Sequence, residues 1–117
     1  MLRRRRRRMA AEYTYVYTYL EVFTSKDKSK PYVFEIVAIN SRQLQEAIDD
    51  AIGIAAIFSH TDLGDEENFK VKWSGEQPIT DLKQLLRDVG SREGLILSQK
   101  EIEDELDSKG WAYLDMP

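Results

Sequence analysis

The strongest constraint on the fold is an alternating run near the N-terminus, Y-T-Y-V-Y-T-Y-L-E-V-F at residues 13–23. A period of two in aromatic and β-branched residues is typical of a long strand. A second β-rich segment, residues 32–39, follows a polar stretch at residues 24–31 that contains three lysines. We therefore expect an antiparallel hairpin with residues 24–31 as its long basic loop.

The rest of the chain alternates between helical and strand patterns. Apolar residues at helical spacing predict a principal helix over residues 41–58, which Asn40 caps and Gln43 supports as capping-box partner. The further expected elements are strands at residues 69–73 and 111–114, a short strand at residues 95–97, and helices capped by Thr80 and by Ser98. The order β-β-α-β-α-α-β predicts an α+β fold: a mainly antiparallel sheet with helices packed on one face.

The charge is divided between a basic tail and an acidic body. Arg3–Arg8 is an unbroken arginine run, and all 21 acidic residues follow Met9. Since six of the 17 basic residues precede Met9, residues 9–117 carry a formal charge of −10. We expect residues 1–11 to be a disordered basic tail, either native or an extension upstream of a start at Met9, and residues 12–117 to form a single domain.

Composition excludes several classes of site. There is no cysteine, so disulfides, thiolate nucleophiles and cysteine-ligated metals are excluded. His60 is the single histidine, and no glycine-rich phosphate loop is present. We therefore expect no catalytic, cofactor or metal site, and we interpret the chain as a non-enzyme. With no apolar run long enough to span a bilayer and no signal peptide, we expect a cytoplasmic protein.

The last predicted helix carries a dense group of acids around Ile102 and Leu106. Its members are Glu101, Glu103, Asp104, Glu105 and Asp107. Like charges at i and i+4 destabilise a helix by a few tenths of a kcal/mol per pair. The pattern indicates either a solubilising surface or an acidic face that binds a basic protein partner or imitates nucleic-acid phosphates.

Two other groups are candidate binding surfaces. The second half of the principal helix is apolar all round, which predicts burial or a dimer interface through Ile52, Ile54, Ile57 and Phe58. On the first strand the tyrosines share one side, which we expect to reach solvent. With two lysines of the third strand they would form a nucleic-acid face of Tyr13, Tyr15, Tyr17, Tyr19, Lys70 and Lys72.

These observations favour a small regulatory or inhibitory protein of the kind that phages and mobile elements encode. In this hypothesis the acidic helix binds a basic protein partner. The alternative is a nucleic-acid-binding module that uses the arginine tail and the tyrosine–lysine face. A third alternative is a subunit that functions only within a larger assembly.

Overall fold

The structure, a computed structural model, describes residues 14–90 and 97–117. Its strands are β1 (Tyr15–Thr24), β2 (Asp27–Ala38), β3 (Phe69–Trp73), β4 (Gln77–Ile79) and β5 (Trp111–Asp115). Its α-helices are α1 (Ser41–Ser59), α2 (Leu82–Gly90) and α3 (Gln99–Lys109), and a 3-10 turn lies at Glu66–Asn68. The basic tail and Tyr13 lie outside the described residues, as does most of the short strand expected at residues 95–97.

The described strands form one antiparallel sheet in the order β3-β1-β2-β5, and the short β4 pairs with β1 beside β3. In its central rows Tyr17 lies opposite Val37, which lies opposite Ala112. The α+β class, the antiparallel sheet and the predicted order of elements are confirmed, with β4 as an additional strand. Its three residues, Q-P-I, are too short to give a periodic signal.

The hairpin between β1 and β2 is tighter than predicted. Thr24 pairs with Asp27, so Ser25 and Lys26 alone form the turn, and the expected long loop over residues 24–31 is wrong. Residues 25–30 are all exposed, so their polar side chains remain in water while the backbone extends. The register shifts between Val22 and Thr24, close to Pro31, which has no N–H to donate.

The helices cover both faces of the sheet, so the prediction that they share one face is wrong. We call the face under α1 the first face; its core includes Leu20, Phe34, Ile36 and Trp111. On the second face, α2 and α3 pack on a separate core. Its members are Tyr17, Val37, Leu86, Val89, Ile102, Leu106, Ala112 and Leu114. The physical reason is that β2 and β5 have apolar residues at both odd- and even-numbered positions. Their apolar side chains therefore point to both faces of the sheet, as in strands that are buried on two sides.

Side-chain caps fix where the helices begin. The Asn40 side chain accepts a 2.8 Å hydrogen bond from the Gln43 N–H, and Ser98 forms a complete capping box with Glu101. The cap of α2 was predicted one residue too early: Asp81, not Thr80, accepts a 3.0 Å hydrogen bond from the Gln84 N–H. Both residue types cap helices, so the backbone path into α2 decides between them.

Candidate functional site

The acidic group lies on the outer side of α3. Ile102 and Leu106 point inward and are buried in the second-face core. The capping box fixes the start of α3, and Gly110, at φ 89°, ends it. All five acids therefore lie on the helix surface, where Glu105 is half-buried and the other four are exposed.

Three of the five acids have structural partners. The Glu101 carboxylate accepts a 3.2 Å hydrogen bond from the Ser98 N–H as part of the cap. Asp104 pairs with Lys100 at 3.1 Å, and Glu105 pairs with Lys109 at 3.3 Å. Exposed i,i+4 pairs of this kind contribute about 0.3–0.5 kcal/mol each. These three acids thus help to stabilise α3 itself.

Glu103 and Asp107 have no such role. Both are exposed, they are four residues apart, and no basic side chain of the described segments lies within ion-pair distance of either. With Tyr15 and Leu106 they line a shallow cleft between α3 and the start of β1. We call Glu103, Asp104 and Asp107 the acidic face, in which Glu103 and Asp107 are the residues without a structural explanation.

The four candidate interface residues of α1 do not lie together. Asp50 faces β5, since it accepts a hydrogen bond from Tyr113, and Ile54 and Ile57 follow it at i+4 and i+7 on that side of the helix. Ile52 lies on the opposite side, the side from which Ser41 contacts Glu76. Ile57 is 72% exposed and Phe58 is 51% exposed, whereas Ile52 and Ile54 are half-buried against the core.

The tyrosine–lysine face is only partly accessible. The register places Lys72 opposite Glu21 and Lys70 opposite Phe23, so both lysines share the second face with the odd-numbered tyrosines. Tyr17, however, is buried in the second-face core and donates a hydrogen bond to Glu35, and Tyr15 is half-buried against the same core. The expectation that the tyrosine side reaches solvent is therefore wrong for Tyr17, because α2 and α3 cover it.

A basic cleft of about 390 Å³ lies at the other end of the second face. Lys28, Lys70 and Lys72 line it together with Phe23 and Asn68. The Lys72 ammonium lies 5.4 Å from the centre of the Phe23 ring, within the range of a cation–π contact. Phe23 continues the odd-numbered side of β1, so the alternating pattern could have included it. Only the tight turn brings Lys28 to the cleft.

The first residues of β2, which include Lys28, are held by a local hydrogen-bond pair. The Ser29 hydroxyl and N–H donate to the Asp27 carboxylate at 2.9 Å and 3.1 Å. The hydroxyl contact first, and then the backbone contact, lower the pKa of Asp27. A carboxylate that stays ionised keeps both hydrogen bonds at neutral pH, which fixes the backbone on both sides of Lys28.

The described residues bring together no group of three or more His, Asp or Glu side chains that could hold a metal ion. None of the helices within that part of the chain is long and apolar enough to cross a membrane. No protein-family model, no curated protein and no solved structure matches this chain.

Proposed function

We propose that this chain is a small, non-catalytic protein-binding module, regulatory or inhibitory in kind, whose acidic face binds a basic surface on a protein partner. The observation that carries the proposal is the position of Glu103 and Asp107. They repel each other at i,i+4 spacing, are exposed, and take part in no cap or ion pair among the described residues. A lysine at position 107 would instead lie one turn from Glu103 and Asp104, so a binding role explains the acid pair where helix stability does not.

The surroundings of the acidic face suit a specific contact. The neighbouring cleft adds the half-buried Tyr15 ring and the edge of Leu106, which give a partner apolar surface beside the charges. Interfaces are enriched in tyrosine, and complementary charge speeds association and selects partners. Because ionic contacts at a surface are screened by salt, the interaction should weaken as ionic strength rises.

Capture from host lysate tests the proposal with a matched control. The test variant is E103K/D107K, and the control E46K/D49K makes the same charge change at two exposed positions of α1. We expect the parent and the control to retain the same basic protein and the test variant to lose it. The purified partner should then bind the parent more weakly as salt is raised. Retention of identical proteins by all three, or of none, would overturn the proposal.

A second candidate function is the binding of single-stranded nucleic acid at the basic cleft. The contact between Lys72 and Phe23 favours it, because an aromatic ring beside lysines can stack a base and hold a phosphate. Because Tyr17 is buried, the residues that contact the nucleic acid would be Phe23, Tyr19 and the three lysines of the cleft. We expect F23A to weaken salt-sensitive binding to an oligonucleotide in this case. Unchanged binding in that variant would remove the candidate.

A further inference from the structure

The second face of the sheet is covered over only part of its area. The core under α2 and α3 includes Tyr17 on β1 and Val37 on β2. Further along β1, Glu21 and Phe23 are half-buried, and Lys70 and Lys72 beside them on β3 are exposed. The second face therefore has a step: a helical layer at one end, which includes the acidic face, and an open sheet at the other, which includes the basic cleft.

The two ends of this step carry opposite charge. The helical end presents Glu103, Asp104 and Asp107, and the open end presents Lys28, Lys70 and Lys72. The Tyr15 and Phe23 positions, one at each end, are eight residues apart on β1, which is about 26 Å at strand rise. A helix packs roughly 10 Å from a sheet, so the open end is lower by about the thickness of one helix.

We propose that this chain forms a twofold dimer in which the acidic face of each copy lies in the open, basic end of the other copy's sheet. The twofold axis lies in the plane of the interface, midway between the helical end and the open end. It places the helical end of each copy against the open end of the other, so the same contact is made twice. The step supplies the shape, since α3 of one copy takes the place that none of the helices in residues 14–90 and 97–117 occupies in the other. The inference rests on the proposed function and names its basic surface: in the dimer that surface is the open end of a second copy, which any other basic protein must displace to reach the acidic face.

Charge favours a second copy over nucleic acid as the occupant of the open end. Glu21 lies opposite Lys72, and Glu67 also lines the basic cleft, so the open end mixes both signs. A polyphosphate backbone is uniformly negative and would be repelled by those carboxylates. The surface of α3 is mixed as well, because Lys100 and Lys109 lie among its acids. Two mixed surfaces can be complementary, which favours protein over nucleic acid here.

Reciprocal charge reversal tests the dimer directly. One variant is K28E/K70E, which leaves Lys72 in place and so avoids a second carboxylate opposite Glu21. The other is E103K/D107K. The control is again E46K/D49K, and all are full-length chains whose folding is checked by circular dichroism. Mass is measured by light scattering and by sedimentation over a range of concentrations at low and high salt.

We expect the parent and the control to be dimers at low salt and to dissociate at high salt. Each reversed variant should show a dimer dissociation constant raised by at least about tenfold, since the contact is lost twice. An equimolar mixture of the two variants should form the heterodimer, because one of its contacts is the native one and the other joins the reversed acidic face to the reversed basic end. Dissociation of both variants and recovery on mixing show that the acidic face of one copy contacts the open end of another, and the measured mass separates a closed dimer from a longer head-to-tail assembly.

Several results would overturn the inference. A parent that is monomeric at all concentrations would do so, as would variants that do not recover on mixing. A parent that binds a single-stranded oligonucleotide through Lys28 and Lys70 while remaining monomeric would assign the open end to nucleic acid instead. These outcomes are separate from failure of the proposed function: a monomer that still captures a basic partner through Glu103 and Asp107 refutes the dimer alone.

Discussion

The Tyr113 hydroxyl donates a 2.6 Å hydrogen bond to the Asp50 carboxylate and so ties β5 to the middle of α1. Tyr113 is 8% exposed and packs against Phe34 and Trp111. Burial of the ring, and then the hydrogen bond and the charge of Asp50, raise the pKa of Tyr113 far above its ordinary value. The contact joins the C-terminal strand to the principal helix.

This contact predicts a loss of stability at high pH. Because the pKa of Tyr113 is higher in the folded than in the unfolded chain, its contribution is complete below about pH 10 and is lost as the pH rises further. We expect the free energy of unfolding of the parent to fall more steeply than that of Tyr113→Phe above pH ~10, by up to about 1.4 kcal/mol per pH unit. Denaturant titrations on both proteins measure the difference, and parallel pH profiles would contradict it.

Substitution by alanine should change the free energy of unfolding in opposite directions at Gly110 and Gly53. Gly110 has a φ of 89°, and a Cβ there would lie 2.8 Å from Gln43 Cγ. We expect Gly110→Ala to lower the free energy of unfolding by about 1–3 kcal/mol. Gly53 lies inside α1 with nothing within 4 Å of a Cβ, so Gly53→Ala should raise it by about 0.5–1 kcal/mol. Thermal denaturation of both variants tests the pair, and a stabilised Gly110→Ala would refute the cap geometry.

Thr24 should tolerate loss of its hydroxyl. It is 2% exposed, and its Oγ1 has no hydrogen-bond partner among the described residues. We expect Thr24→Val, which keeps the shape, to raise the free energy of unfolding by about 1 kcal/mol. The matched change Thr18→Val removes a buried hydroxyl that lies 3.4 Å from Ser74 Oγ and should be neutral or destabilising. Equal effects at both positions in chemical denaturation would count against this reading.

Loss of a side chain from the second-face core should lower the free energy of unfolding more than loss of an exposed side chain near the end of α1. Ile102 is fully buried beneath α3, so Ile102→Ala should cost about 2–5 kcal/mol. Ile57 is 72% exposed, so Ile57→Ala should change the free energy of unfolding by less than about 0.5 kcal/mol. Urea denaturation compares them. A small effect at Ile102 would mean that α3 is not packed on the sheet as the structure shows.

Local signals account for the elements that the sequence predicted. The tyrosine alternation of β1, the helical spacing in α1, the cap at Asn40 and the capping box at Ser98 each depend on residues a few positions apart. β4 and the tight turn at Ser25 and Lys26 were missed. Both are short, and pairing with β1 rather than local propensity creates them.

The candidate surfaces were likewise predicted only in part from the sequence. The acids of α3 lie outside because Ile102 and Leu106 mark its inner side, and the sequence alone indicated this. It identified Glu101 as the capping-box acid but did not separate Glu103 and Asp107 from Asp104 and Glu105, which pair with lysines. Ile52 and Ile54 were grouped as one surface, although residues two apart on a helix lie about 200° apart, so the helical period alone places them on opposite sides of α1.

The sequence by itself determined the class of fold, the order of its elements, the division of charge and the acidic side of α3, because each follows from the spacing of neighbouring residues. Only the tertiary structure decided which face each helix covers, the burial of Tyr17 and the meeting of Phe23, Lys28 and Lys70 in one cleft. Alternation along a strand says that two faces exist, but the faces become buried or open only when distant segments pack on them.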